Sequence, residues 1–160
     1  MPLPKSLVCA AAAGLALSAC GSGTPVGGSF AVDFPTLADA VASDTVQIFA
    51  YPYPMSTCEA VVESFRTNSA PPANFTAETQ PTSPCSLGGA ANTLSVPFGE
   101  YAFLAVTVNG GKSFLVGCAA QTISDTNSVV DIPLTLASES VSVPTTSCTT
   151  FSAFCAKSCM

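Results

Sequence analysis

The spacing of cysteines is the feature of this 160-residue sequence that most limits what the chain can fold into. Six of the cysteines follow an N-terminal segment that is typical of export, in which a single cation, Lys5, precedes an apolar run over residues 7–17 and then small residues. An even number of cysteines in an oxidising compartment indicates disulfide bonds rather than free thiols. We therefore expect three disulfides, formed by Cys58, Cys85, Cys118, Cys148, Cys155 and Cys159.

The sequence leaves the pairing of these cysteines open, because spacing along a chain does not fix which sulfurs meet in space. The pair that we favour is Cys58 with Cys85, since both flank the same proline-rich connection; the last three cysteines then share bonds among themselves and with Cys118. The alternative is a zinc site formed by Cys118, Cys148, Cys155 and Cys159. These four lack the C-x2-C pair that is typical of structural zinc sites, so we expect disulfides and no metal.

The end of the export segment, Leu17-Ser18-Ala19-Cys20, resembles the bacterial lipobox, in which signal peptidase II cleaves before a cysteine that carries the lipid. The resemblance implies a signal peptide over residues 1–19 and lipidation of Cys20. Residues 20–29 are rich in glycine and are predicted to form a flexible, lipidated tether. Two acyl chains suffice for stable anchoring, so the membrane is an expected partner. An ordinary secreted protein with a chance cysteine is the alternative.

The residue that follows Cys20 bears on which membrane holds the anchor. In the enterobacterial sorting rule an aspartate at that position retains a lipoprotein at the inner membrane, and here the residue is Gly21. The lipobox resemblance therefore implies the outer membrane, with the domain facing either the periplasm or the cell surface. Envelope proteins are the other expected partners.

Few charges and many apolar residues exclude several classes of function. Charged residues make up 9% of the sequence and hydrophobic residues 48%, which indicates a compact exported domain rather than a disordered chain. The formal net charge is −6, so a nucleic-acid-binding surface is not expected. The sequence contains no histidine, which removes Ser-His-Asp and Cys-His catalysis and the commonest metal ligand. No cofactor is expected.

Alternating apolar residues predict β-strands through the middle of the chain. A strand is predicted over residues 44–51 and a hairpin over residues 101–120. The turn of that hairpin, NGGK at residues 109–112, contains residues that tolerate positive φ. Further strands are predicted over residues 93–96 and 129–136.

One helix is predicted, over residues 56–66. Ser56 and Glu59 match a capping box, and apolar residues follow at helical spacing up to Phe65. A strand over residues 60–65 is the alternative. Pro35 could open a further helical turn over residues 37–41.

Part of the strand pattern is similar to the carboxypeptidase-regulatory, transthyretin-like β-sandwich domains. Their hallmark is an apolar residue, Pro, Gly and Tyr leading into a strand, with an Ile-x-Leu strand later. The matching residues are Val96, Pro97, Gly99, Tyr101, Ile132 and Leu134. The chain is also similar to small cysteine-containing lipoproteins of myxobacteria. These resemblances imply accessory or binding modules and identify no catalytic residue.

The strand pattern and the resemblance together predict a mainly β fold. We expect a single antiparallel β-sandwich of the Ig/transthyretin-like type, with about seven strands and one short helix, over residues 30–137. Residues 138–160 are expected to form a cysteine-rich C-terminal tail that disulfides staple onto the sandwich.

The candidate functional residues are few. Tyr51 and Tyr53 could form an exposed aromatic surface that binds carbohydrate or peptide, or could pack in the core and at its rim. A hydrolase would need two of four carboxylates close together in one cleft. The four are Glu59, Glu63, Glu100 and Asp131.

We therefore expect a non-enzymatic outer-membrane lipoprotein that acts in envelope structure or in protein–protein contact. A surface module that binds carbohydrate or peptide is the alternative, and a carboxylate-dependent hydrolase is a remote one.

Overall fold

A computed structural model describes residues 26–87, 94–124, 129–137 and 145–158. The predicted signal peptide, the lipidation site Cys20 and the C-terminal Cys159 lie outside the described residues. Within those ranges strands account for 44% of the structure and helices for 22%, so the mainly β prediction is confirmed.

The described residues form eight strands and three α-helices. The strands are β1 (Val26–Asp33), β2 (Thr45–Pro52), β3 (Ala77–Glu78), β4 (Leu94–Val96), β5 (Gly99–Asn109), β6 (Lys112–Ile123), β7 (Val129–Pro133) and β8 (Thr135–Leu136). The helices are α1 (Leu37–Ala42), α2 (Cys58–Asn68) and α3 (Phe151–Cys155). A single short helix was expected, with a possible further helical turn over residues 37–41; α1 lies where that turn was considered, and α3 is additional. None of the helices in the described ranges is long and apolar enough to cross a bilayer.

The larger sheet has five antiparallel strands in the order β3-β2-β5-β6-β8. Strands β5 and β6 form the predicted hairpin, and the turn uses Gly110 at φ 56° and Gly111 at φ 79°, conformations that glycine adopts without strain. A β-bulge interrupts the ladder at Thr107, whose hydroxyl accepts a hydrogen bond from the N–H of Leu115 (3.0 Å). The hydroxyl thereby satisfies a buried donor at the irregularity.

The smaller sheet has three strands in the order β4-β1-β7. Strand β1 begins at Val26, inside the segment predicted to be a tether, and it pairs antiparallel with β4 and parallel with β7. The expectation of purely antiparallel pairing is therefore wrong for this sheet. Parallel strands need a long crossover connection, and here the whole five-stranded sheet except β8 lies between β1 and β7 in sequence.

The three-stranded sheet packs on one face of the five-stranded sheet. Their shared core joins Phe30 of β1 and Ile132 of β7 to Ile48 of β2 and Phe103 of β5. The rings of Phe30 and Phe103 lie 5.5 Å apart. The apolar residues of β2 at positions 46, 48 and 50 all face this core, as their alternation predicts.

Helix α2 packs on the opposite face of the five-stranded sheet. Val61 and Phe65 of the helix are buried against Leu104 and Val106 of β5. The helix prediction is confirmed, but the cap is Thr57, whose hydroxyl accepts a hydrogen bond from the N–H of Ala60 (3.3 Å). Ser56, the predicted cap, is instead buried, and its hydroxyl accepts a hydrogen bond from the side chain of Asn74 (3.0 Å).

The strand predicted over residues 129–136 divides between the two sheets. Residues up to Pro133 pair with β1, and Thr135 and Leu136 pair with β6. The chain crosses β6 at Gly117, where an added Cβ would lie 1.9 Å from the carbonyl oxygen of Pro133. Only a residue without a side chain allows the two backbones to approach so closely.

Two disulfides join described residues, and neither is the predicted Cys58–Cys85 pair. Cys58, the first residue of α2, is bonded to Cys118 of β6, and Cys85 is bonded to Cys155 at the end of α3. Cys58 lies on the face of α2 that covers the sheet, so its sulfur meets β6 rather than the connection that leads to Cys85. Cys148 is disulfide-bonded as well, which excludes the alternative zinc site.

The C-terminal segment contacts the domain through aromatic rings as well as through Cys155. The ring centroid of Phe151 in α3 lies 5.8 Å from that of Phe34. Phe34 belongs to the segment that joins β1 to α1. Thr150 caps α3 with its hydroxyl, which accepts a hydrogen bond from the N–H of Ala153 (3.1 Å).

The disulfide assignment predicts a specific loss of stability. We expect the double variant C58A/C118A to lower the free energy of unfolding by about 4 kcal/mol, because the bond closes a loop with a sequence separation of 60. Urea unfolding of the purified protein measures this loss, with C85A/C155A as the comparison. Peptide mapping without reduction should recover Cys58 linked to Cys118; a peptide linking Cys58 to Cys85 would contradict the assignment.

The close crossing at Gly117 predicts intolerance of the smallest side chain. We expect Gly117→Ala to destabilise the fold by about 3 kcal/mol, since the backbone of β7 or β6 must move to admit one methyl group. Ala120→Ser, which adds one heavy atom at an exposed position of the same strand, should change stability by less than about 0.5 kcal/mol. Equal thermal denaturation midpoints for the two variants would show that the crossing is not tight.

Candidate functional site

The end of the five-stranded sheet at which β2 stops and β5 starts carries the candidate site. Tyr53 follows the last residue of β2, and its N–H donates a hydrogen bond to the carbonyl oxygen of Glu100 (3.1 Å). This bond continues the β2–β5 ladder by one residue, so Tyr53 lies opposite Glu100. The Tyr53 side chain is 41% exposed.

The strand register places three of these side chains in one row. Glu100 pairs with Thr122 of β6, so Tyr53, Glu100 and Thr122 are neighbours across three strands. Side chains in such a row lie on the same face of the sheet, about 5 Å from one strand to the next. This is the face that α2 covers further along the sheet, because Ala102 and Leu104 of β5 pack beneath the helix.

A pocket of about 230 Å³ opens beside this row. We call it the Tyr53 pocket. Its lining residues are Tyr53, Glu100, Tyr101, Ala120, Gln121 and Thr122. The small side chain of Ala120 stands next to the row, and Tyr101 is buried, which raises the pKa of its phenol.

The polar side chains of the Tyr53 pocket have unused hydrogen-bonding capacity. Within the described residues, the side chains of Glu100 and Thr122 make no hydrogen bond and no ion pair with the protein. Gln121 also borders the pocket, but it pairs with Tyr101, so its side chain points to the opposite face of the sheet. Sequence reasoning included Glu100 only as a candidate acid and missed Thr122. The signal that could have found Thr122 is the hairpin register, which follows from the turn at residues 109–112 and pairs Glu100 with Thr122.

Tyr51, the other tyrosine of the predicted binding surface, is buried in the core. Its ring is 0% exposed and packs against Phe75, and its hydroxyl donates a hydrogen bond to the carbonyl oxygen of Pro72 (3.0 Å). Burial raises the pKa of Tyr51, and the nearby carboxylate of Glu78 raises it further. Of the predicted pair, Tyr53 alone can contact a ligand from solvent, because the Tyr51 side chain is fully buried.

Two more apolar side chains are exposed at this end of the sheet. Met55, in the turn after β2, is 82% exposed, and Phe98, which leads directly into β5, is 48% exposed. Because β2 and β5 are paired up to Pro52 and Tyr101, the turn and the lead-in segment lie at the same end. Together with Tyr53 they form an apolar end of the domain.

A second and larger cleft, of about 530 Å³, lies between α2 and the strands β6 to β8. Glu59, Glu63 and Arg66 line it from one side of the helix, and the disulfide between Cys58 and Cys118 lies at one end. Arg66 donates a hydrogen bond from its guanidinium to the hydroxyl of Thr135 (3.1 Å), which ties the helix to the edge strand.

The four candidate carboxylates of a hydrolase are divided among three places. Glu59 and Glu63 line the α2 cleft together, Glu100 lines the Tyr53 pocket, and Asp131 is exposed on β7. Glu59 and Glu63 project from the same side of one helix, one turn apart, and both are exposed. Carboxylates that hydrolyse a glycosidic bond must flank it, which two neighbours on one wall do not do.

Among the described side chains no three potential ligands are grouped as a metal site would require. Comparison with protein-family models, with curated proteins and with solved structures finds no match to this chain.

Proposed function

We propose that this chain is a non-enzymatic lipoprotein of the outer membrane that acts in envelope structure or in protein–protein contact. Its domain would be a β-sandwich of the Ig/transthyretin-like type, stapled by disulfides to its C-terminal tail. The lipobox-like sequence before Cys20 supports the anchor, and the core shared by the two sheets supports the sandwich. The anchor would hold the domain at the membrane, facing the periplasm or the cell surface.

The observation that carries an interaction role is the apolar end of the domain. Met55 is 82% exposed. Methionine is a flexible apolar side chain that packs readily against a partner surface. Phe98 and Tyr53 extend the same surface, and aromatic residues are enriched where protein interfaces form. Single exposed apolar residues are ordinary, but three of the large exposed apolar residues lie at this one end of the sheet, where contact with another surface would remove them from water.

The absence of histidine from the sequence and the placement of the acids support a non-enzymatic role. Glu59 and Glu63 lie on one wall of their cleft, and a hydrolase that uses them stays the remote alternative. Binding of carbohydrate or peptide is the second candidate function, and the Tyr53 pocket is the described surface that favours it.

The anchor predicts that Cys20 decides where the protein is found. We expect the full-length chain, expressed in a Gram-negative host, to fractionate with the outer membrane and to carry diacylglycerol on Cys20 by mass spectrometry. Cys20→Ser should release the protein from the membrane fraction, because no acyl chain remains to insert. Cys9→Ser is the matched control and should stay membrane-bound, since that cysteine lies within the predicted signal peptide. Membrane retention of Cys20→Ser would refute the lipoprotein proposal.

The interaction role predicts a contact that depends on position. We expect a photo-crosslinking amino acid at Met55 of the lipidated protein to form one adduct of defined mass with an envelope protein in intact cells. The same amino acid at Lys112, at the opposite end of the sheet, should not form it. Phe98→Ser should weaken the adduct by removing part of the apolar surface. An adduct of equal strength from both positions, or none from Met55, would argue against this end as the interface.

A further inference from the structure

We propose that the Tyr53 pocket binds a single neutral pyranose ring of a glycan. This inference goes beyond the envelope role, because it requires neither the lipid anchor nor a protein partner at Met55. It rests on an exposed aromatic ring, a small residue beside it and two polar side chains without a hydrogen-bond partner in the described protein, all on described residues.

The apolar half of the pocket fits the face of a sugar ring. A pyranose presents axial C–H groups on one face, and these pack against an aromatic ring as other apolar groups do. Tyr53 supplies such a ring, and its 41% exposure leaves part of the ring open to a ligand. Ala120, in the neighbouring row toward the helix, lines the pocket, and its side chain is too small to fill the space beside the tyrosine. The pocket therefore admits a flat ring next to Tyr53.

The polar half of the pocket fits sugar hydroxyls. Each hydroxyl of a sugar both donates and accepts, so its site needs donors and acceptors together. The carboxylate of Glu100 accepts, and the hydroxyl of Thr122 both donates and accepts. Neither side chain is engaged with another described side chain or backbone group, so binding need not first break a hydrogen bond of the protein.

The charges around the pocket favour a neutral ligand. Arg66 lies in the α2 cleft, Lys112 at the far hairpin turn and Lys157 beyond α3, so no cation of the described chain lines the Tyr53 pocket. Glu100 would repel an anionic sugar. A quaternary ammonium ligand needs several exposed aromatic faces around it, whereas Tyr101 is only 7% exposed.

The size of the pocket limits the ligand to one ring. Its volume of about 230 Å³ is below the range of roughly 300–1,000 Å³ that is typical of sites for drug-sized molecules. A glycan would therefore place one residue in the pocket and continue into solvent. A site of this size, with one stacking ring, is expected to bind a monosaccharide with a dissociation constant of about 1 mM.

The composition of the chain makes the test direct. The sequence has three tyrosines and no tryptophan, and two of the tyrosines line the pocket. Ultraviolet emission therefore comes from Tyr51, Tyr53 and Tyr101. Of these, Tyr53 is the one with an exposed ring that a ligand can contact. We would titrate the full lipidated protein, in detergent micelles, with the methyl glycosides of glucose, galactose, mannose and N-acetylglucosamine. Choline chloride and a neutral tripeptide would be titrated in parallel.

At least one methyl glycoside should produce a saturable change in emission. Tyr53→Ala and Glu100→Gln should each weaken binding by about tenfold or more, as measured by saturation-transfer NMR, while Tyr53→Phe retains the ring and should weaken it by less than about threefold. Glu63→Gln, at an exposed glutamate that lines the other cleft, is the matched control and should bind as the parent does. Thermal melts confirm that each variant is folded.

Three outcomes would overturn the proposal. One is the absence of a saturable response to every glycoside up to about 100 mM, far above the expected dissociation constant. A second is equal binding by folded Tyr53→Ala and by the parent protein. The third is saturable binding of choline or of the tripeptide but not of any sugar. None of these outcomes bears on Cys20 or on the Met55 crosslink, so this inference can fail while the envelope role stands.

Discussion

Strand β5 is apolar on both faces, and the rest of the structure depends on covering both of them. Its residues 101–107 are all buried, with Tyr101, Phe103 and Ala105 facing one core and Ala102, Leu104 and Val106 facing the other. A strand exposed on either face would leave this area in water, at a cost of roughly 25 cal/mol per Å². The three-stranded sheet covers one face and α2 covers the other. The flanking strands β2 and β6 follow the same two-sided pattern because they are paired with β5 in register.

Local signals in the sequence were sufficient to predict β2, the β5–β6 hairpin and α2. The strand over residues 44–51, the hairpin around residues 109–112 and the helix after Ser56 all have periodicity or turn chemistry that acts within a few residues. The alternation that predicts the hairpin over residues 101–120 does not show that both faces of β5 are buried. Phe103 and Tyr101 became core residues only because a second layer lies over them, which is a property of the packing and not of the strand itself.

Long-range pairings could not be predicted for the same reason. Residues 26–29 (VGGS) are rich in glycine, which is depleted in strands, so the composition indicated a tether. They form the start of β1 because residues 26–28 pair with β4 and Ser29 begins the pairing with β7. The split of residues 129–136 between two sheets depends on Gly117 of a different strand. The disulfide prediction was wrong because Cys58 and Cys85 are neighbours only along the chain; Cys118 lies opposite Leu104 in register, on the face that α2 covers.

The disulfide that sequence spacing did not predict also determines where the candidate site can exist. It attaches the first residue of α2 to the row of Leu104 and Cys118, and the helix then runs toward Val116, where Arg66 bonds to Thr135 of the edge strand. The opposite end of that face extends beyond the start of the helix. Two rows from the disulfide, the side chains change from Leu104 and Cys118 to Glu100 and Thr122. Polar residues occur there because the helix no longer shields the sheet, and Tyr53 is exposed because nothing in the described chain packs over its row.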